Sequence, residues 1–331
     1  MNRRNLLKSA VALGLGAPLA SLAAATPAHA AGNYDVLVTE QVKNKLMLFR
    51  AINPWTPENL GWEWQAPNLT EWDRLNDARF RETDRFGWTC MVAAGGGRVG
   101  MVNFGDDDAL LWSANAGGNP HAVEYLRSHG VVVVASAGAI SSTLDYPGYL
   151  SIYAPTDADD PASLGSTPVD RIAFQGAHGL WWDGSHLYAL GTWTLAKYRI
   201  TGSLKSARLE LVQKHVWATE FGGHSLDMDF TDPSRLILNG GGALWTVEKS
   251  NLALTNIRPQ SYGVKSFSRA VDGESFWVQA IDVTDPGKEG WWNEYVQFFD
   301  PTGKPSYRRG LDYYGYEGRF YRSRISSIRL S

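Results

Sequence analysis

The feature that most constrains the fold is a pair of short apolar strands that recurs every 40 to 55 residues. The first members are residues 36–39, 88–92, 131–134, 186–190, 235–238 and 275–278. The second members are residues 45–49, 98–102, 149–153, 195–199, 243–247 and 295–299. Glycine turns (Gly95-Gly96-Gly97, Gly240-Gly241-Gly242) or Asp-Gly turns (Asp183-Gly184, Asp272-Gly273) punctuate the units. Two units share the strand that follows, Trp62-Glu63-Trp64-Gln65-Ala66 resembling Leu110-Leu111-Trp112-Ser113-Ala114. Units of this length, built from strands and glycine turns, predict an all-β chain folded as a β-propeller. A β-sandwich would not need so regular a unit.

Six pairs predict six blades. The first pair begins too close to the N-terminus to have an innermost strand of its own. Phe320-Tyr321-Arg322-Ser323-Arg324-Ile325 is the expected donor, closing the ring and covering an edge that would otherwise be open. A seventh blade stays open if residues 301–331 fold as a unit of their own.

Composition narrows the class. Fourteen Trp, 14 Tyr and 12 Phe supply a large core, and charged residues at 20% are too few for a disordered chain. The single cysteine, Cys90, excludes an internal disulfide and a cysteine-based zinc site. A net charge of −3 without a basic block argues against nucleic acid as a partner.

Residues 1–30 read as an export leader. Arg3-Arg4-Asn5-Leu6-Leu7-Lys8 forms a twin-arginine head, an Ala/Leu/Gly stretch follows, and Ala28-His29-Ala30 offers a small-residue cleavage site. The expectation is a secreted or periplasmic protein, with residues 31–331 forming one propeller domain and no membrane contact after cleavage. Removing Arg3, Arg4 and Lys8 with the leader leaves 28 basic against 34 acidic residues, a charge of −6. The expected mature species is a monomer.

In a propeller, residues entering the innermost strands gather around one mouth of the central channel. Reading back from each first strand brings the same station to His121, His178, His224 and Lys265 in four consecutive units. The second unit offers Arg79 or Arg81, and the C-terminal strand Arg322 or Arg324. Glu40-Gln41 ends a strand that could face the same mouth. A lone histidine would read as a hydrogen-bonded turn residue. Three in one register beside Lys and Arg repel one another unless an anion or a metal ion joins them. His121, His178 and His224 would be the ligands of a divalent metal, if one is the cofactor. Asp227 and Asp229 could line one strand face, Asp106-Asp107-Asp108 reads as a solvated turn, and Trp181-Trp182 and Trp291-Trp292 are candidate sugar-stacking platforms. No P-loop, dinucleotide fingerprint, G-x-S-x-G elbow or H-E-x-x-H helix is present.

Taken in order, Val38-Thr39-Glu40-Gln41, Asp77-Ala78-Arg79-Phe80-Arg81, Asn119-Pro120-His121-Ala122, Gly176-Ala177-His178-Gly179, Gly222-Gly223-His224, Val264-Lys265-Ser266 and Tyr321-Arg322-Ser323-Arg324 resemble a family of secreted bacterial proteins. That family is a domain of unknown function with a propeller-type fold, so the resemblance implies fold and station residues but no activity. A looser similarity, of fold and site only, is to propeller-type polysaccharide lyases that gather His, Arg and Lys at the channel mouth. The expected activity is therefore that of a carbohydrate-active lyase on an acidic, uronate-containing oligo- or polysaccharide. His178 or His224 would be the base and His121 the acid or a ligand. Lys265, Arg322, Arg79, Arg81, Glu40 and Gln41 would bind substrate. Two alternatives stay open: a non-catalytic propeller that binds glycan or peptide, and a metal-dependent hydrolase such as a lactonase.

Overall fold

A computed structural model describes residues 34–330, except 106, 139–147, 159 and 289. The leader and its cleavage site lie outside the described residues, as does Asp106 of the acidic turn. Six four-stranded antiparallel sheets form a six-bladed β-propeller. Each predicted strand pair is the second and third strand of a blade. The C-terminal strand Phe320–Ile325 is the innermost strand of blade 1, pairing with Asp35–Glu40. Residues 305–309 are the outermost strand of blade 6, so the C-terminal segment is shared between two blades and makes no seventh.

Period-two alternation explains why the middle strands read as unbroken apolar runs. In blade 3, Val131, Val133 and Ala135 pack against blade 4, while Val132 and Val134 pack against blade 2. Likewise Val36 and Val38 of blade 1 face blade 6 and Leu37 faces blade 2. A strand buried on both faces has no polar side to alternate. The result is six separate cores, one between each pair of neighbouring blades. Outer strands do alternate. In Leu60–Gln65, Trp62 and Trp64 are buried and their neighbours Gly61 and Glu63 exposed, with Trp62 set against Phe80 of blade 2. Trp112, which the strand registers make the equivalent of Trp62 rather than of Trp64, meets Tyr153 of blade 3. Cys90 is fully buried between blades 1 and 2, and burial raises its thiol pKa well above the usual range. Among the described residues no helix is long and apolar enough to cross a membrane.

The innermost strands are Leu75–Thr83, Pro120–Leu126, Gly179–Trp182, Leu226–Met228 and Val264–Arg269 in blades 2 to 6, with Phe320–Ile325 in blade 1. In four of the six the N-terminal end carries a shared irregularity. Pairing with the second strand slips between Leu75 and Asp77, between Pro120 and Ala122 and between Val264 and Ser266. The extra residues are Asn76, His121 and Lys265. In blade 1, Tyr321 and Arg322 together oppose Thr39. A β-bulge bends its strand and re-aims one side chain. Repeated at one level around the ring, it builds the channel mouth.

Candidate functional site at the channel mouth

His121, His178, His224 and Lys265 meet at that mouth. The His121 and His178 ring centroids are 4.2 Å apart, and those of His178 and His224 are 5.1 Å apart. The Lys265 ammonium lies 3.3 Å from His224 Nε2. Tyr321 closes the row, its ring 5.7 Å from that of His121.

Backbone carbonyls fix the tautomers. His121 Nδ1 lies 2.8 Å from the Asn119 carbonyl and His178 Nδ1 lies 2.7 Å from that of Gly176. A carbonyl only accepts, so Nδ1 of each ring carries the proton and Nε2 the lone pair. His224 is held differently. Its amide donates to the Asn239 carbonyl (3.2 Å), and its own carbonyl accepts from Arg322 Nη2 (2.9 Å). Burial pushes all three imidazoles down: His178 to about 4, His121 and His224 well below the ordinary histidine value. His178 adds to the effect on His121, and the Lys265 ammonium adds to that on His224. Burial also lowers Lys265, with Asp282 partly opposing it. At neutral pH the mouth therefore holds three neutral imidazoles and one ammonium. Among the described residues Lys265 has no carboxylate within ion-pairing distance.

The arginines occupy other places. Arg79 and Arg81 stand three and five residues beyond Asn76, about 10 Å or more down the strand at ~3.3 Å per residue. The mouth position of blade 2 therefore belongs to Asn76. Both arginines bind Glu124, and Arg79 and Arg324 also approach Asp77. Arg324 reaches Asp227 as well (2.9 Å). Arg322 lies directly beneath the histidines, donating to the carbonyls of His121 (3.0 Å) and His224 (2.9 Å) with Asp77 beside it (3.3 Å). Substrate binding by these guanidiniums is not what their neighbours provide for, since each is engaged by carboxylate or carbonyl. Arg322 ties blade 1 to blades 3 and 5 and sets the backbone of two mouth histidines.

Glu40 is fully buried and its carboxylate is taken up by backbone amides, those of Val42 (2.7 Å), Lys43 (2.8 Å) and Arg319 (3.1 Å), shaping the loop after its strand. Gln41 does reach the rim, where it accepts from Trp291 Nε1 (3.3 Å) and donates to the Leu75 carbonyl (3.1 Å). Trp291 is about half exposed, whereas Trp181 packs against Arg81 and Arg79 deeper in the ring. Asp229 is bound by Arg269 rather than exposed along a strand face.

The three imidazoles do not make a metal centre. Among the described residues no group of three or more His, Cys, Asp or Glu side chains is disposed to hold an ion. The Lys265 ammonium also occupies the Nε2 lone pair of His224 that a metal would need.

A cleft of about 310 Å³ opens beside His224 between blades 5 and 6, lined by Phe221, Asn239, Gly241, Gly242 and Tyr262. Gly242 has φ +68°, and a Cβ there would lie 2.5 Å from the Tyr262 ring, so only glycine lets this exposed tyrosine cover the turn. Asn239 braces the cleft floor. Its side-chain oxygen accepts the Ser225 amide (2.9 Å) and its amide group donates to the Val264 carbonyl, joining blade 5 to blade 6. Asn239→Ala leaves buried groups unpaired and is expected to lower unfolding free energy by about 2 kcal/mol, read from urea denaturation.

No family model matches the chain, and no curated protein matches it. Solved structures do. A protein of unknown function from Bacteroides caccae aligns over 88% of this chain and 98% of its own, with 10% identity and a TM-score of 0.55. A candidate 6-phosphogluconolactonase from Bacteroides uniformis aligns over 85% and 83%, with 12% identity and a TM-score of 0.54. A functionally unknown protein from Desulfotomaculum acetoxidans aligns over 90% and 82%, with 10% identity and a TM-score of 0.50. The likeness is one of fold.

Proposed function

We propose that this propeller is an exported, monomeric carbohydrate-active lyase that acts on an acidic, uronate-containing glycan at the histidine–lysine mouth. The observation that carries the reading is three imidazoles meeting, at a channel mouth, one ammonium that has no carboxylate within ion-pairing distance among the described residues. β-Elimination from a uronate needs a cation on the carboxylate, so that the α-proton becomes acidic, and a neutral base to take it. Lys265 supplies the first and the Nε2 lone pair of His178 the second. The C–H electron pair becomes the new C=C bond, and the C–O bond to the leaving sugar breaks. The leaving oxygen takes a proton from the imidazolium just formed. His121, the most buried of the three, packs its ring against that of His178. The leader of residues 1–30 supports export.

Incubating the mature protein with a panel of uronate glycans tests this, with unsaturated product expected in the ultraviolet. Saturable binding without product would instead favour a non-catalytic glycan-binding propeller, a reading for which the exposed rim rings of Trp291 and Tyr262 speak. In that case Trp291→Ala weakens binding more than His178→Ala. The lactonase reading has the likeness in fold to the Bacteroides uniformis protein behind it, but no metal-ligand set among the described residues. Turnover of a sugar lactone with no product from any uronate glycan would favour it.

A further inference from the structure

Below the mouth, the channel is plugged by four arginines and three carboxylates: Arg79, Arg81, Arg322 and Arg324 against Asp77, Glu124 and Asp227. Arg79, Arg322 and Arg324 are almost fully buried, at 3%, 1% and 4% exposure, and so are their partners. Arg81 is partly exposed, at 16% of its side chain, and with it the belt counts four guanidiniums against three carboxylates.

The same belt has donors without acceptors. Arg79 Nε and Nη2, Arg324 Nη2 and the indole Nε1 of Trp181 are each buried with no hydrogen-bond partner among the described residues, Asp77 Oδ2 standing 3.6 Å from Arg79 Nη2. Arg79 is the link between them. The Arg79 guanidinium lies 5.5 Å from the Trp181 ring centre, and Arg79 and Arg324 flank the same Asp77. Burial and then the nearness of Arg324 lower the Arg79 pKa to about 10. Each unmatched group is a donor. A water molecule would accept two of them but bring two more hydrogens into a region whose carboxylates are already engaged.

We propose that the channel binds one small monovalent inorganic anion, of halide size and charge, between Arg79, Arg324 and the Trp181 indole N–H. A single negative charge balances the belt. A divalent oxyanion would overshoot it and crowd Asp77, Asp227 and Glu124, which lie in the same layer. The site is separate from the glycan-binding mouth, since Arg322 and Asp77 stand between them. Its occupant is a structural ion that locks blades 1, 2 and 4 together.

The test uses the whole mature protein. Thermal unfolding is followed in sodium bromide and in sodium gluconate at equal ionic strength and pH, and crystals are soaked in bromide. The expected results are a saturable rise in melting temperature with bromide and an anomalous-scattering peak beside Arg79 Nε and Trp181 Nε1. Trp181→Phe keeps the ring over the guanidiniums but removes one donor, and should raise the half-saturating bromide concentration about fivefold. Equal melting in bromide and gluconate would overturn the proposal, and so would crystals with no peak at this position. Trp181→Phe with unaltered bromide dependence would remove the indole from the site.

Discussion

Lys265→Met is expected to lower turnover of a uronate glycan by about 10²–10³-fold, the cost of removing one preorganised electrostatic partner from a developing anion. No carboxylate among the described residues lies within ion-pairing distance of the Lys265 ammonium, Asp282 acting on it only from farther off, so its charge is available to a ligand. Lys265→Arg restores part of the rate, because the charge returns with a different reach. His178→Ala should lose a comparable factor by removing the base, with the binding constant for substrate changed less than the rate. The two variants are distinguishable by a third readout. In Lys265→Met the ammonium that depresses His224 is gone, so the His224 resonance in an NMR titration moves at higher pH than in the parent. His178→Ala relieves His224 by the smaller His178 contribution alone. Full activity in both variants would place the chemistry elsewhere.

The fold was legible because a propeller writes one unit six times. Middle strands buried on both faces gave apolar runs such as Val131–Val134, and their spacing was enough to count blades. The closing strand was legible for a similar reason: blade 1 lacked an inner partner and Phe320–Ile325 was the unassigned strand. The inner strands themselves were faint. Gly179–Trp182 and Leu226–Met228 are short and bear no long apolar run.

The site was legible in part. His121, His178, His224 and Lys265 share a register, and that register is real at the level of side-chain contact. What spacing could not reveal is which cations were already paired. In the segment Asp77-Ala78-Arg79-Phe80-Arg81 the arginines were read as available, whereas Asp77 of the same segment and Glu124 of the next blade neutralise them. Pairing between blades joins residues 43 to 247 positions apart, and a repeat shows nothing of it. Asn76 and Tyr321 were missed because the repeat was aligned on charge rather than on the bulge. A single extra residue at the start of four of the six inner strands was the better signal.

Acidification between pH 6.5 and 4 should unfold this propeller through the same three histidines. Their folded-state pKa values all lie below the ordinary histidine value, because burial penalises the imidazolium and the neighbouring cations repel it. As the pH falls through about 6.5 the unfolded chain takes up protons that the folded chain refuses. Stability is thus complete above that pH and declines until the folded rings protonate, for His178 at about 4. Each refused proton costs about 1.4 kcal/mol per pH unit, so three together give a slope of about 4 kcal/mol per unit. That is enough to exhaust the stability of an ordinary domain within the window. His129 and His186, also lowered by burial, add to the slope of the parent but not to differences between mouth variants. Asp77, held at about 2 by Arg324 and Arg322 against the opposing effect of its own burial, titrates below the window. Urea unfolding followed by tryptophan fluorescence at pH 7.5, 6.0 and 5.0 measures the slope. Replacing His178 by Gln should reduce it by about 1.4 kcal/mol per unit, and replacing His178 and His224 together by about twice that. An unchanged slope in the double variant would mean that the mouth imidazoles protonate as freely in the folded chain as in the unfolded one, and that they are not the buried neutral bases the lyase mechanism requires.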